Sequence, residues 1–146
     1  MPVEIERMRW WDIEALEPIE AQLFGVDRWS PAMFWNELAG GHHYLVARDG
    51  DEVVGYAGLA FGESEAWVQN LAVRADRQRH GIGTRLLEAL LAEAQRRGAR
   101  AVLLEVAVDN APAQRLYDRY GFEPVGVRRG YYQPSNTDAV VMRRDA

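Results

Sequence analysis

Polar and apolar residues alternate over residues 3–8, the period of a strand with one face in water, so the chain is expected to begin with a strand. Ile13, Leu16, Ile19 and Leu23 then recur at helical spacing, with Asp12 placed to cap the helix they define. Ser30-Pro31 is a second helix start, serine as N-cap and proline in the first turn. Phe34, Trp35 and Leu38 are expected to face inward, and Gly40-Gly41 to end the helix. Residues 44–48, 53–61 and 66–73 read as an antiparallel run, turning at Asp49-Gly50-Asp51. Leu86, Leu87, Leu90, Leu91 and Ala94 form the apolar stripe of a long helix. Arg96 and Arg97 place cations on its negative dipole end, and Gly98 closes it. Residues 101–106 are apolar almost throughout, which predicts a central strand buried on both faces. Asn110 is positioned to cap a last helix ending at Gly121, and strands near 125–129 and 139–143 flank a loop rich in Tyr, Pro and Asn. The pattern predicts an α/β fold with helices on both faces of a mixed sheet. Without repeats or low-complexity tracts, residues 1–146 are expected to form a single domain.

Charge narrows the range of partners. The chain has 22 acidic against 17 basic residues and a net charge of −5, which argues against nucleic acid as a partner. Its positive charge is concentrated at residues 74–85 and at the end of the helix that follows, a distribution suited to an anionic cofactor and a cationic substrate. There is no cysteine, so disulfides, thiolate nucleophiles and cysteine metal sites are excluded. Met1-Pro2-Val3-Glu4 lacks the features of a signal peptide, and no run of about 18 apolar residues would span a membrane. A cytoplasmic location is therefore expected.

The strongest local signal is Arg77-Gln78-Arg79-His80-Gly81-Ile82-Gly83-Thr84, between a predicted strand and the long helix. Two glycines one residue apart let the backbone approach a bulky ligand. The helix start offers unpaired N–H groups and a positive dipole end to an anion. Arg77, Arg79 and His80 add three basic side chains at the mouth of this turn, and together these features predict a pyrophosphate cradle. The segment lacks the third glycine and following acid of a dinucleotide fingerprint, and no Gly-Lys-Ser/Thr follows as in a P-loop.

Gln78-Arg79-His80-Gly81-Ile82-Gly83 resembles the acetyl-CoA loop of the GNAT N-acetyltransferases. Gln69-Asn70-Leu71-Ala72-Val73 is similar to that family's pantetheine-pairing strand. Asn110-Ala111-Pro112-Ala113, Leu116-Tyr117 and Tyr120-Gly121-Phe122 are similar to its C-terminal signature. The resemblance implies the GNAT fold, a central mixed seven-stranded sheet flanked by about four helices. It also implies acetyl transfer from acetyl-CoA, bound by Leu71, Ala72, Val73, Arg79, His80, Gly81, Ile82, Gly83, Thr84 and Asn110, without a metal.

Glu105 interrupts an otherwise apolar strand, and a carboxylate there is costly unless it is paired or faces a cavity. From the residues alone it is either a general base or the partner of an arginine. Tyr117 is likewise a core aromatic or an acid able to protonate a leaving thiolate. The resemblance implies the catalytic role for both, Glu105 as base and Tyr117 as acid. Tyr120 is expected to pack, and His42 and His43 to lie at the surface.

A narrower resemblance concerns the acceptor. Trp29-Ser30, Phe34 and Glu37-Leu38, with Arg129-Gly130-Tyr131-Tyr132 and residues 138–142, are similar to the RimI-type N-terminal acetyltransferases. That resemblance implies an acceptor α-amine at a protein N-terminus, alanine on a small-subunit ribosomal protein, contacted by Trp29, Tyr131 and Tyr132. Pro112 departs from the usual pattern but stands in the first helical turn, where proline is tolerated. With a pKa near 7.7–8.0, roughly 10–15% of an α-amine is neutral at pH 7, against under ~0.1% of a lysine, so one carboxylate base would suffice. Lysine side chains or small amines are the alternative acceptors, and a cofactor-binding module without activity is a third reading. The enzyme is expected to act as a monomer or weak dimer.

Overall fold

The structure is a computed structural model describing residues 2–146. Strands β1 (Glu4–Arg7), β2 (His43–Asp49), β3 (Glu52–Phe61) and β4 (Glu65–Val73) lie side by side and antiparallel. The second half of the sheet adds β5 (Ala101–Ala107) parallel to β4. It then adds β7 (Thr137–Asp145) and β6 (Glu123–Tyr132), giving the order β1-β2-β3-β4-β5-β7-β6. Helices α1 (Ile13–Phe24), α2 (Pro31–Ala39), α3 (Ile82–Arg96) and α4 (Ala111–Arg119) complete the mixed α/β fold.

Period-two alternation in β2 sorts the core into two layers. Leu45 and Ala47 face the side covered by Leu86, Leu87 and Leu90 of α3, while Tyr44 and Val46 face Ile13, Leu16 and Ile19 of α1 and Phe34 of α2. Each fully buried leucine contributes roughly 1.5–3 kcal/mol, so α3 is held mainly by its apolar stripe. Asn110 caps α4 as expected, its Oδ1 accepting from the Ala113 N–H at 3.2 Å, and Gly98 adopts φ +75° after α3. No helix of the described residues is long and apolar enough to cross a membrane.

Four local expectations are corrected. Asp12 does not cap α1: a 3-10 turn over Trp10–Asp12 precedes the helix and Asp12 is already helical. Its carboxylate accepts from the Arg9 N–H (2.8 Å) and from Arg48 of β2 (2.9 Å), tying the helix entry to the sheet. Trp35 does not face inward. One position on from buried Phe34, it is turned about 100° round the helix and stacks on Trp10, centroids 5.7 Å apart. His43 is buried, not at the surface, because it begins β2 beneath α3. Strands β6 and β7 run further than their apolar pattern reaches, with Tyr132 paired to Thr137. Edge strand β6 is exposed and carries arginines and glycines where an alternating pattern would have marked it.

Candidate active site

β4 and β5 pair only from Glu65–Ala101 to Val68–Leu104, and then diverge. The divergence begins at a bulge in β4: Asn70 stands opposite Gly58 and Val68 opposite Leu59, so Gln69 is the extra residue. Between the separated strands lies a cavity of about 490 Å³. Its walls include Asn70 and Leu71 of β4, Glu105 of β5, Asn110 and Tyr117 of the α4 region, Tyr132 of β6, and Glu20 and Trp29 from α1 and the segment after it. The residues 69–73 edge of β4 that β5 leaves unpaired is free to hydrogen-bond an extended ligand, apart from the Val73 carbonyl, which accepts from Gln78 at 3.0 Å.

Both predicted catalytic side chains reach this cavity. Glu105 is placed there by strand alternation, on the opposite side of β5 from its neighbours Leu104 and Val106, and its side chain is 8% exposed. Its Oε2 accepts from Arg128 Nη1 at 3.1 Å, so the arginine pair and the cavity-facing position coexist. Tyr117 is 6% exposed, its ring edge-on to Phe122 at 5.7 Å. Burial pushes its phenol well above the usual value, which keeps this cavity-lining residue protonated. Tyr120 stands apart, donating to Glu88 at 2.9 Å.

The residues expected to contact the acceptor divide. Trp29 and Tyr132 line the cavity, Trp29 with its ring against Phe34 and Tyr132 with its hydroxyl 3.3 Å from the Glu105 carbonyl. Tyr131 lies outside the lining, under the Arg128 guanidinium (4.9 Å). Burial, then the Glu105 charge, push its phenol up to about 12.

The residues of the Gly-x-Gly turn expected to bind the cofactor lie beyond the end of β4. Gly81, at φ +80°, precedes α3 with no side chain capping the first-turn N–H groups, which leaves them for an anion. A Cβ on Gly83 would sit 3.6 Å from Val73, showing how closely the turn approaches β4. Arg79 is itself left-handed (φ +68°), and His80 shares a small hollow with Arg85. Two contributions differ from expectation: Ile82 buries its side chain in the core, so only its backbone can serve a ligand, and Arg77 is paired with Asp49 at 2.8 Å. An uncapped helix start continuous with an unpaired strand edge fits a ligand that carries phosphates on a long amide-bearing arm.

Sequence reasoning missed three cavity carboxylates, Glu20, Asp27 and Asp109. Glu20, on α1, is 2% exposed, and Asp27 lies between α1 and α2. The sign of Glu20 was available: it stands four residues after Leu16 and seven after Ile13, on the apolar stripe itself. Asp27 carried no such sign. Its partner, Ser135, is 108 positions away.

The acetyltransferase (GNAT) family pattern matches residues 5–122. The N-alpha-acetyltransferase RimI of Mycobacterium tuberculosis is 46% identical over 151 residues, covering 99% of this chain and 94% of that protein. A putative ribosomal protein bS18-alanine N-acetyltransferase of Bacillus subtilis is 32% identical, covering 94% of this chain and 92% of the relative. The crystal structure of the ribosomal-protein-S18-alanine N-acetyltransferase from Escherichia coli superposes with a TM-score of 0.89 at 29% identity, covering 99% of this chain and 94% of that one.

Proposed function

This chain belongs to the GNAT family and is an N-acetyltransferase, and we propose that it moves the acetyl group of acetyl-CoA onto the α-amine of a protein N-terminus. The observation that carries this reading is the divergence of β4 and β5, which puts Glu105 and Tyr117 on the walls of one cavity beside an unpaired strand edge. The unpaired edge at residues 69–73 holds the pantetheine amides, and the uncapped start of α3, with Arg79 and His80, holds the pyrophosphate. Asn110 caps α4 and faces the cavity with the rest of its amide.

Glu105 accepts the amine's proton, directly or through one water, as the nitrogen attacks the thioester carbonyl. Arg128 supplies its counter-charge. Tyr117 gives its proton to the sulfur as the carbon–sulfur bond breaks, a role for which a buried, protonated phenol is suited. Trp29 and Tyr132 contact the acceptor, and Tyr131 packs behind the Glu105–Arg128 pair. Two of the relatives named above, those of Bacillus subtilis and Escherichia coli, are described as ribosomal protein S18-alanine N-acetyltransferases, and an alanine-starting ribosomal N-terminus is the acceptor proposed here. We take the protein to act in the cytoplasm, as one domain.

The test is an incubation with acetyl-CoA and an alanine-starting ribosomal peptide, beside the same peptide N-terminally blocked but carrying a free lysine. Intact mass is followed over time. One acetyl group gained by the free N-terminus alone is expected. Reaction of the blocked peptide would assign the enzyme to lysine side chains.

A further inference from the structure

Glu20 is buried in a way that ordinary packing does not explain. Its carboxyl is on the apolar face of α1, at the cavity wall, and the residue is 2% exposed. It accepts two hydrogen bonds, from the Trp29 backbone N–H at 2.8 Å and from the Tyr56 hydroxyl. Both donors are neutral, and among the described residues no arginine or histidine pairs with it. The other cavity carboxylates are better placed: Glu105 has Arg128, Asp27 is more exposed and bonded to Ser135, and Asp109 is exposed to water. Among the described residues no cationic side chain lines the cavity.

A buried carboxylate with no cation nearby is costly to keep charged. Desolvation pushes the Glu20 carboxyl up from its ordinary value, and the two hydrogen bonds only partly oppose this. A group that costs stability in the empty protein is explained if its partner arrives with a ligand. The acceptor amine, mostly protonated when it meets the enzyme, is a cation entering this same cavity.

We propose that Glu20 is the binding site for the acceptor's ammonium group, the carboxylate that admits the cation before Glu105 takes its proton. The inference rests on the reading of the acceptor as an amine and adds a second carboxylate with a different duty. Each Glu20 oxygen keeps a lone pair beyond the bond it already accepts, so an ammonium N–H can be added without displacing Trp29 or Tyr56. The bond to the Trp29 backbone also links an occupied Glu20 to the segment that lines the acceptor end.

The experiment is direct binding to the enzyme loaded with CoA, which cannot react. At pH 6.5 an α-amine is about 95% protonated. The ligands are an alanine-starting peptide and its des-amino analogue, identical but for the lost charge. The wild type is expected to bind the amine about tenfold or more tightly than the analogue, as a charge-assisted hydrogen bond requires. Glu20→Gln, similar in shape but neutral, is expected to bring that ratio near one. Tyr56→Phe, which keeps the charge and removes one neutral donor, is expected to retain it, and Glu105→Gln likewise. A ratio unchanged in Glu20→Gln, or lost in Glu105→Gln instead, overturns the proposal. If the wild type binds neither peptide, the peptide reading fails, and alaninamide against propanamide on the same loaded enzyme still decides the role of Glu20. Equal binding of those two by the wild type overturns it.

Discussion

Arg128 Nη1 lies 3.1 Å from Glu105 Oε2, so the carboxylate proposed as base already has a cation beside it, outside the cavity lining. Arg128 is 56% exposed, and ion pairs open to water contribute about 0–1 kcal/mol. Arg128→Ala is therefore expected to change unfolding free energy by no more than about 1 kcal/mol. Glu105→Gln is expected to lower kcat by ~10²–10⁴, the usual contribution of a general base, with acetyl-CoA affinity unchanged. Turnover of Glu105→Gln at the wild-type rate, measured by free thiol release, would remove Glu105 from the chemistry.

Tyr117 has no protein hydrogen-bond partner for its hydroxyl among the described residues, although the ring is packed on Phe122. Tyr117→Phe keeps the ring and leaves no donor orphaned. Stability should stay within about 0.5 kcal/mol of wild type, while kcat falls by ~10²-fold or more and CoA affinity holds. An unchanged kcat would return Tyr117 to a packing role.

How far these positions were legible depended on whether their cause was local. The cap at Asn110, the apolar stripe of α3 and the strand at residues 44–48 act within a few residues, and each is found where the sequence implied it, whereas Ser30 holds the N-cap position of α2 without a side-chain bond. The separation of β4 from β5 is not local, because it needs the bulge at Gln69 and a parallel neighbour 36 positions away from Glu65, at Ala101. Trp35 was misjudged for a related reason, since its partner Trp10 belongs to another element. Glu105 left two roles open, and its position satisfies both at once, facing a cavity and pairing with an arginine.

Ser135 clasps Asp27, which lines the cavity. Its N–H donates to Asp27 Oδ1 at 2.9 Å and its hydroxyl to Oδ2 at 2.5 Å, joining the β6–β7 turn to the segment between α1 and α2. Asp27→Ala removes both bonds. Peptide KM is expected to rise by about 5–20-fold, near the loss of one or two charged hydrogen bonds, with CoA affinity unaffected. Hydrogen exchange at residues 24–30 and 133–136 should quicken together. Independent behaviour of the two segments would show that the clasp does not couple them.

Gly58 and Tyr44 test the packing beneath the site. A Cβ at Gly58 would lie 2.0 Å from the Tyr44 ring, which is fully buried and whose hydroxyl lies 2.5 Å from Asn70 Oδ1 and 3.2 Å from Glu37 Oε1. Neither can shift without breaking those bonds. Gly58→Ala should cost about 1–3 kcal/mol or more in urea unfolding. Combined with Tyr44→Ala, which vacates the space, the two changes should cost less than their sum. Additive losses would mean the ring is free to move aside.

His43 gives the fold a pH dependence with a definite sign. Its imidazole is buried under α3, 3.9 Å from Glu93, and its Nδ1 has no hydrogen-bond partner among the described residues. Burial pushes its pKa down, Glu93 opposes this, and Arg7, Arg97 and Arg96 push it further down. The unfolded chain therefore takes up this proton first as pH falls. The favourable term is fully present above the unfolded value of about 6.5 and is lost as pH drops from there towards the folded one, at no more than ~1.4 kcal/mol per pH unit. Glu93 acts in a lower window. Arg96 is the main cause that holds it at about 2, so its contribution fades only below the ordinary glutamate range. Glu20, raised by burial, works with the opposite sign, since the folded protein keeps that proton longer. Subtracting a His43→Gln series from the wild type isolates the imidazole. Between pH 7.5 and 5 the wild type should lose stability relative to His43→Gln. Parallel curves would show that His43 gains its proton as readily in the folded protein as in the unfolded chain.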